Sequence, residues 1–298
     1  MSEQMNAGLR LDIACGKNKR DGFIGVDIWE GADIVCDLEN FPWPFADESV
    51  DEIYCSHYIE HTPDLIAFAN EIYRIMKIGA TAYILAPYYS SIRAWQDPTH
   101  VRAISENTFL YFDKEWRLRN NLDHYPISAD FDFKYRLDID QDWCKKNEDE
   151  LKFAIKHYIN VVSNIYTIMT KRKPLDDELV RLTIQATDSW NNGNHDQAVE
   201  KCIRFFESGE ENDDLRLMLA QHALDNFKYD QAILSFGRVL VNDPEMFQAH
   251  VGLIMAHYHL GNIMEAKAHL DSIRICKPEL AESIKDYINQ LNYEMSFD

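Results

Sequence analysis

Basic residues are few in this chain of 298 residues: 30 Lys and Arg stand against 50 Asp and Glu, a formal net charge of −20. A large acidic surface repels phosphate backbones, so nucleic acid is not expected as a main partner. Cysteine is sparse and scattered. Cys15, Cys36, Cys55, Cys144, Cys202 and Cys276 form no CxxC pair, which predicts reduced thiols in a cytoplasmic protein. No run reaches the ~18 apolar residues of a membrane span, and the opening MSEQMNAGLR has no apolar stretch of a secretory signal. No membrane partner is expected. Glycine is thin where a phosphate-cradling loop would need it. No GxxxxGK[ST] occurs, so a lysine-anchored nucleotide loop is excluded. What is present is 46% hydrophobic residues, enough for a soluble globular chain of two domains, each with its own core.

The two halves differ in pattern. Through Lys173 the chain has 20 basic and 28 acidic residues; the remainder has 10 and 22. From about Leu175 onward the pattern is helical and repeats. "GNHDQA", "FKYDQA" and "GNIMEA" place Ala198, Ala232 and Ala266 at equal steps of 34, the step that also separates Pro244 from Pro278. A small residue suits a point where the two helices of a hairpin approach closely. Phe236 and Val239, then Leu270 and Ile273, fill packing positions in successive repeats, while Leu182 stands where the first repeat lacks a large aromatic. This stretch resembles the tetratricopeptide repeat. It predicts an all-α solenoid of three repeats, roughly Asp176–Asn212, Asp213–Glu245 and Met246–Lys277, and a capping helix near Glu279–Tyr293.

The first half alternates short apolar runs with amphipathic stretches. Strands are predicted near Leu9–Ala14, Phe23–Asp27, Ile34–Cys36, Val50–Cys55, Ala80–Ala86, Phe131–Leu137 and Val161–Thr170. Helices are predicted over Asp64–Met76, with Ile66, Ala69, Ile72, Tyr73 and Met76 at helical spacing, and near Glu148–His157. Alternation of this kind argues for a mostly parallel α/β sheet with late closing strands. The polar linker is Lys171–Asp177, giving domains 1–173 and 174–298.

In open parallel sheets ligands collect at the carboxyl ends of strands. Here those ends carry Asp12–Gly16, Asp27, Asp37, Ser56–His61 and Pro87–Tyr89. Asp27 can accept two ribose hydroxyls, and Asp37 can meet an adenine edge. The order of "LDIACG", "GVDI", "DLENFPWPFADESVDEIYCSHYIEH" and "NEIYRIMKIGATAYILAPY" makes residues 9–172 resemble a class I S-adenosylmethionine-dependent methyltransferase. The resemblance implies a Rossmann-like domain with an antiparallel closing strand and S-adenosyl-L-methionine as cofactor. It implies cofactor contacts from Asp12, Ala14, Cys15 and Gly16, from Asp27 and Ile28, from Asp37 and Leu38, and from Ser56 and His57. The glycine pattern of the family, close to GxGxG, reads Ala14-Cys15-Gly16-Lys17-Asn18 here. S-adenosylmethionine has no pyrophosphate, so it needs a tight turn and not a helix N-terminus packed on two phosphates. The short distance from Gly16 to Asp27 predicts that the helix between them is short or missing. Lys17, Lys19 and Arg20 are read as solvated.

"HYIEH", His57 to His61, matches H-x-x-E-H, in which two histidines one turn apart hold zinc. Pro63 follows too closely for a long metal-bearing helix, so no metal ligand is assigned. Tyr88 to Phe112 follows the fifth strand, where an acceptor meets the methyl group. Two readings of it stand: a substrate lid carrying a general base, with Asp97 orienting His100, or a loop pinned by a proline turn in which His100 is a structural hydrogen-bonder. His100 is the first candidate base and His57 the second. The acceptor, an O or N nucleophile on a small molecule, peptide or protein, is left open, and the repeats can recruit it through their groove. The alternative is an interaction scaffold whose methyltransferase fold is inactive.

Overall fold

The structure, a computed structural model, describes residues 8–280 together with Ile284 and Asn289. The chain divides into two compact units at Leu175 and Asp176. All six cysteines are free, and no helix among the described residues is long and apolar enough to cross a membrane.

The first unit is a seven-stranded sheet. Its strands are β1 (Arg10–Ile13), β2 (Ile24–Asp27), β3 (Ile34–Val35), β4 (Val50–Ser56), β5 (Met76–Pro87), β6 (Phe131–Ile139) and β7 (Val162–Lys171), in the order β3-β2-β1-β4-β5-β7-β6. All neighbours are parallel up to β5, and β7 runs antiparallel to both β5 and β6. This is the Rossmann-like architecture of class I methyltransferases. Between parallel strands only β4 and β5 are joined by a helix, α1 (Leu65–Ile75). It starts where the Asp64 carboxylate accepts the Ala67 N–H at 2.8 Å. Its inner face, Phe68, Ala69, Ile72 and Ile75, is buried with Leu11, Ile13, Ile53 and Ala82 of the strands. Residues 14–23 connect β1 to β2 without a helix, because ten residues leave no room for a helical crossover. Three short helices, α2 (Arg93–Gln96), α3 (Glu106–Leu110) and α4 (Lys114–Arg119), lie between β5 and β6, and α5 (Glu148–His157) lies between β6 and β7.

The opposite face of the sheet exposes Tyr83 and Ile168 of its central strands. Tyr54, Tyr83, Tyr166, Ile168, Lys134 and Arg136 line a depression of about 580 Å³ there. The side chains stack as cation–π pairs, Arg136 over Tyr166 at 4.7 Å and Arg20 over Tyr54 at 4.4 Å. Their apolar bodies cover the strands and their polar tips meet water.

The second unit is three helix pairs: α6 (Asp177–Asn191) with α7 (His195–Phe206), α8 (Asp213–Asp225) with α9 (Tyr229–Asn242), and α10 (Phe247–His259) with α11 (Ile263–Cys276). Ala198, Ala232 and Ala266 occupy the same turn of α7, α9 and α11 and are buried. The close approach is visible at Gly252 of α10, where a Cβ would sit 2.2 Å from the Phe236 ring. These hairpins have the form of tetratricopeptide repeats. The capping helix expected over Glu279–Tyr293 lies, beyond Leu280, outside the described residues apart from Ile284 and Asn289.

The turn inside each pair uses a left-handed residue, Gly193 (φ 77°), Phe227 (φ 58°) and Gly261 (φ 77°). Only the middle repeat puts a side chain there, and it is 77% exposed. An L-residue held in this region costs roughly 1–2 kcal/mol, part of which glycine gives back through its freer unfolded chain. Phe227→Gly is therefore expected to raise the unfolding temperature of the repeats by about 2–5 °C, read by circular dichroism. A drop instead would mean that the ring's contact with Tyr229 outweighs the strain.

Candidate functional site

The site forms where β1, β2, β3 and β4 end on one side of the sheet. The β1–β2 connection is a tight turn. Ala14 (φ 56°) and Gly16 (φ 52°) both adopt left-handed backbone, which glycine tolerates and alanine tolerates poorly. Asp27, the last residue of β2, fastens this turn. Its Oδ2 accepts the Gly16 N–H at 2.9 Å and its Oδ1 accepts the Trp29 N–H at 2.8 Å. Each carboxylate oxygen retains a further lone pair. Asp37 is held in the same way, accepting the Glu39 N–H at 3.1 Å and the Asn40 side-chain amide at 2.6 Å.

Ala14, Asp27, Ile28, Asp37, Leu38, Glu39 and Tyr58 line one pocket of about 280 Å³. Five of these were assigned from the sequence. Glu39 and Tyr58 were not. Tyr58 donates its hydroxyl to Glu39 at 2.6 Å, and Thr62 donates to the other Glu39 oxygen at 3.1 Å. Burial and the Glu39 carboxylate push the Tyr58 hydroxyl well above its usual range, so it stays a donor. Ile28 is 67% exposed at the pocket edge, an apolar side chain with nothing of its own to cover.

The other assigned cofactor residues lie outside this lining. Asp12 is buried and its carboxylate accepts the Arg20 N–H at 2.7 Å. Burial raises its pKa above the usual carboxylate value, the Arg20 contact opposing. It therefore holds the loop. The Cys15 sulfur packs against β2, 2.8 Å from where a Cβ on Gly25 would lie. Gly16 contributes its amide through Asp27, and Ser56 closes β4 beside Leu85. Lys19 and Arg20 are not simply solvated. Lys19 pairs with Asp33 at 2.7 Å, and Arg20 covers the Tyr54 ring.

Residues 11–84 match the methyltransferase domain family. The match lies within the first unit. The cofactor it implies is S-adenosylmethionine. Among solved structures, a SAM-dependent methyltransferase from Archaeoglobus fulgidus is similar at 20% identity over 55% of this chain and 86% of its own, with a TM-score of 0.39. The YcgJ protein from Bacillus subtilis is similar at 18% identity over 56% and 94%, with a TM-score of 0.36. The OM64 TPR domain from Arabidopsis is similar at 14% identity over 38% and 94%, with a TM-score of 0.34. No curated protein matches the chain.

The first unit also gathers imidazoles after β4. Residues 57–63 form a turn and not a helix. His57, at φ 55°, contacts Glu60 Oε1 through Nδ1 at 3.2 Å. The segment 97–102 lies on this turn. The Val101 N–H donates to the Glu60 carbonyl at 2.9 Å, and the Arg102 guanidinium donates to the carbonyls of Ile59, Thr62 and Pro63. His100 and His61 meet edge to face, with ring centroids 4.6 Å apart. Asp97 does not orient His100. Its carboxylate is 4.0 Å from Nε2, too far for a hydrogen bond, and Oδ1 is occupied by the Thr99 N–H and hydroxyl. The Ala94 carbonyl accepts from His100 Nδ1 at 3.1 Å. The stretch from Tyr88 to Phe112 is anchored at both ends, by buried Tyr88, whose hydroxyl reaches Glu106 at 2.9 Å, and by buried Ile104, Phe109 and Phe112.

Proposed function

We propose that the chain is an S-adenosylmethionine-dependent methyltransferase that acts on an O or N nucleophile. The observation that carries this reading is the pocket at the strand ends, where Asp27 and Asp37 stand beside the histidine-bearing turn after β4. Asp27 takes the ribose hydroxyls, Ile28 and Leu38 pack on the adenine, and Asp37 meets its edge. Methyl transfer from a sulfonium is an in-line displacement, so alignment supplies much of the rate. An oxygen or nitrogen acceptor must also lose a proton. His100 is the group for that step: its Nδ1–H is committed to Ala94, which leaves the Nε2 lone pair. His57 is the second group.

The domains in this reading are 1–173 for methyl transfer and 174–298 for the repeats. The groove lined by Val199, Ile203, Leu219, Lys228 and Leu234 suits an extended peptide, so a peptide or protein acceptor is favoured over a free metabolite. A second reading, a scaffold with an inactive methyltransferase fold, is favoured by one observation, the glycine-poor first turn with Ala14 in left-handed backbone. Titration of purified protein with S-adenosylmethionine, followed by incubation with methyl-labelled cofactor and a fractionated lysate, separates the two. Saturable binding and a mass gain of one methyl group on a lysate component are expected. Absence of cofactor binding would leave only the scaffold.

A further inference from the structure

We propose that Glu60, His61 and His100 bind one divalent transition-metal ion. One ligand atom from each lies within 4.8 Å of the other two. The site unites a turn after β4 with a segment some forty residues on, and backbone and Arg102 hydrogen bonds fasten the two together.

The hydrogen bonds around the group leave it short of donors. Glu60 is 1% exposed. Its Oε1 faces His57, and its Oε2 is buried with no partner, an expensive state for a carboxylate oxygen. The Thr99 hydroxyl has one proton, and that proton goes to Asp97, which as a carboxylate can only accept, at 2.7 Å. Thr99 Oγ1 must therefore accept from His61 Nδ1, 3.0 Å away. The Ala94 carbonyl likewise fixes the proton of His100 on Nδ1. In both imidazoles Nδ1 is thereby engaged as a donor, which leaves Nε2 as the atom available to an ion. Ligand atoms of Glu60, His61 and His100 thus lie within 4.8 Å of one another beside a buried carboxylate oxygen that has no hydrogen-bond partner. A cation resolves that arrangement.

The supporting contacts are those of a metal site, where each ligating imidazole donates its other N–H to a carbonyl or to a carboxylate-linked group. Two imidazoles and one carboxylate suit zinc, manganese, iron(II) or cobalt, not calcium or magnesium. Three protein ligands leave coordination positions open. The role rests on the methyl transfer proposed above. An acceptor hydroxyl reaching the ion is acidified and its proton passes to water. Its oxygen lone pair forms the bond to the methyl carbon, and the carbon–sulfur pair of electrons returns to sulfur, leaving a neutral thioether. His100 then acts as a ligand and not as a free base.

The test uses untagged full-length protein stripped with a chelator and titrated with Co²⁺. Visible d–d absorption saturating at one equivalent is expected. Glu60→Gln, His61→Ala and His100→Ala should each weaken binding by about 100-fold or more, and Thr99→Val, which frees the His61 tautomer, by about 10–100-fold. His269→Ala in the repeats, where His250 and His269 form another imidazole pair, should change nothing. S-adenosylmethionine titration of the same samples reports folding and keeps the two ideas apart. Cofactor binding without Co²⁺ binding overturns the metal site and spares the methyltransferase. Co²⁺ binding without cofactor binding does the reverse. One equivalent still bound by the Glu60→Gln, His61→Ala double variant would place the metal elsewhere and overturn the site. Should the ligand variants not fold, wild type and Thr99→Val decide: no saturable wild-type absorption, or equal affinities, overturns it.

Discussion

His100→Ala is expected to lower methyl-transfer turnover by about 10²–10⁴-fold while S-adenosylmethionine affinity stays within about twofold, since the residue makes no contact that shapes the cofactor pocket. The Nε2 lone pair is lost whether it takes the acceptor's proton directly or holds an ion that acidifies the acceptor, so the turnover effect is common to both. The side chain is 9% exposed and packs on His61, so some loss of stability will accompany it. Thermal unfolding of the variant separates the two effects. Single-turnover rates at saturating cofactor, on the acceptor found by label transfer, give the size of the chemical step. Wild-type rates in the variant would mean that alignment alone drives the reaction. Loss of cofactor binding would make His100 a structural residue.

Asp27→Ala is expected to weaken S-adenosylmethionine binding by about a hundredfold or more, from two charge-assisted hydrogen bonds at ~1.5–3 kcal/mol each. The structure adds a second reason. The same carboxylate holds the Gly16 and Trp29 amides, so its removal also loosens the turn. Asp27→Asn keeps an amide oxygen for one of those N–H groups and presents an NH₂ to the other. It should bind more weakly than wild type but better than Asp27→Ala. Calorimetry of the three proteins gives the order. Equal affinity in wild type and Asp27→Ala would remove the residue from the site.

Much of the architecture is readable from the sequence because its periods are physical. The runs at Leu9–Ala14 and Val50–Cys55 become β1 and β4, and Glu148–His157 becomes α5 with the expected bounds. The 34-residue step survives as three helix pairs because each needs a small residue at one crossing. The helices α2, α3 and α4 were missed, being too short to display a helical period. The pocket was legible where a residue closes a strand, as with Asp27 and Asp37. At Asp12 the sequence could not show that one carboxylate oxygen turns to its own loop. The helix argument against metal in "HYIEH" was sound for a pair of histidines on one helix. It could not see that His61 would meet a histidine from another segment, since nothing in local spacing encodes a turn laid upon a loop. Glu39 and Tyr58 carried no motif and joined the pocket through each other.

Under the methyl transfer proposed here, the helix-free connection after β1 also bears on which adenosine compounds compete for the pocket. No helix lies between β1 and β2, and the Gly16, Trp29 and Arg20 amides of the surrounding loops serve Asp27 and Asp12. A polyphosphate tail there would face the carboxylates of Asp27, Asp37 and Glu39. In the same reading, those carboxylates are expected to favour a cationic sulfonium over ATP and the dinucleotides. The demethylated product is harder to reject, because it keeps the nucleoside and amino acid and loses only the positive charge. Under the methyl transfer proposed here, the compound that throttles the enzyme is its own spent cofactor, and steady flux depends on another activity that clears it.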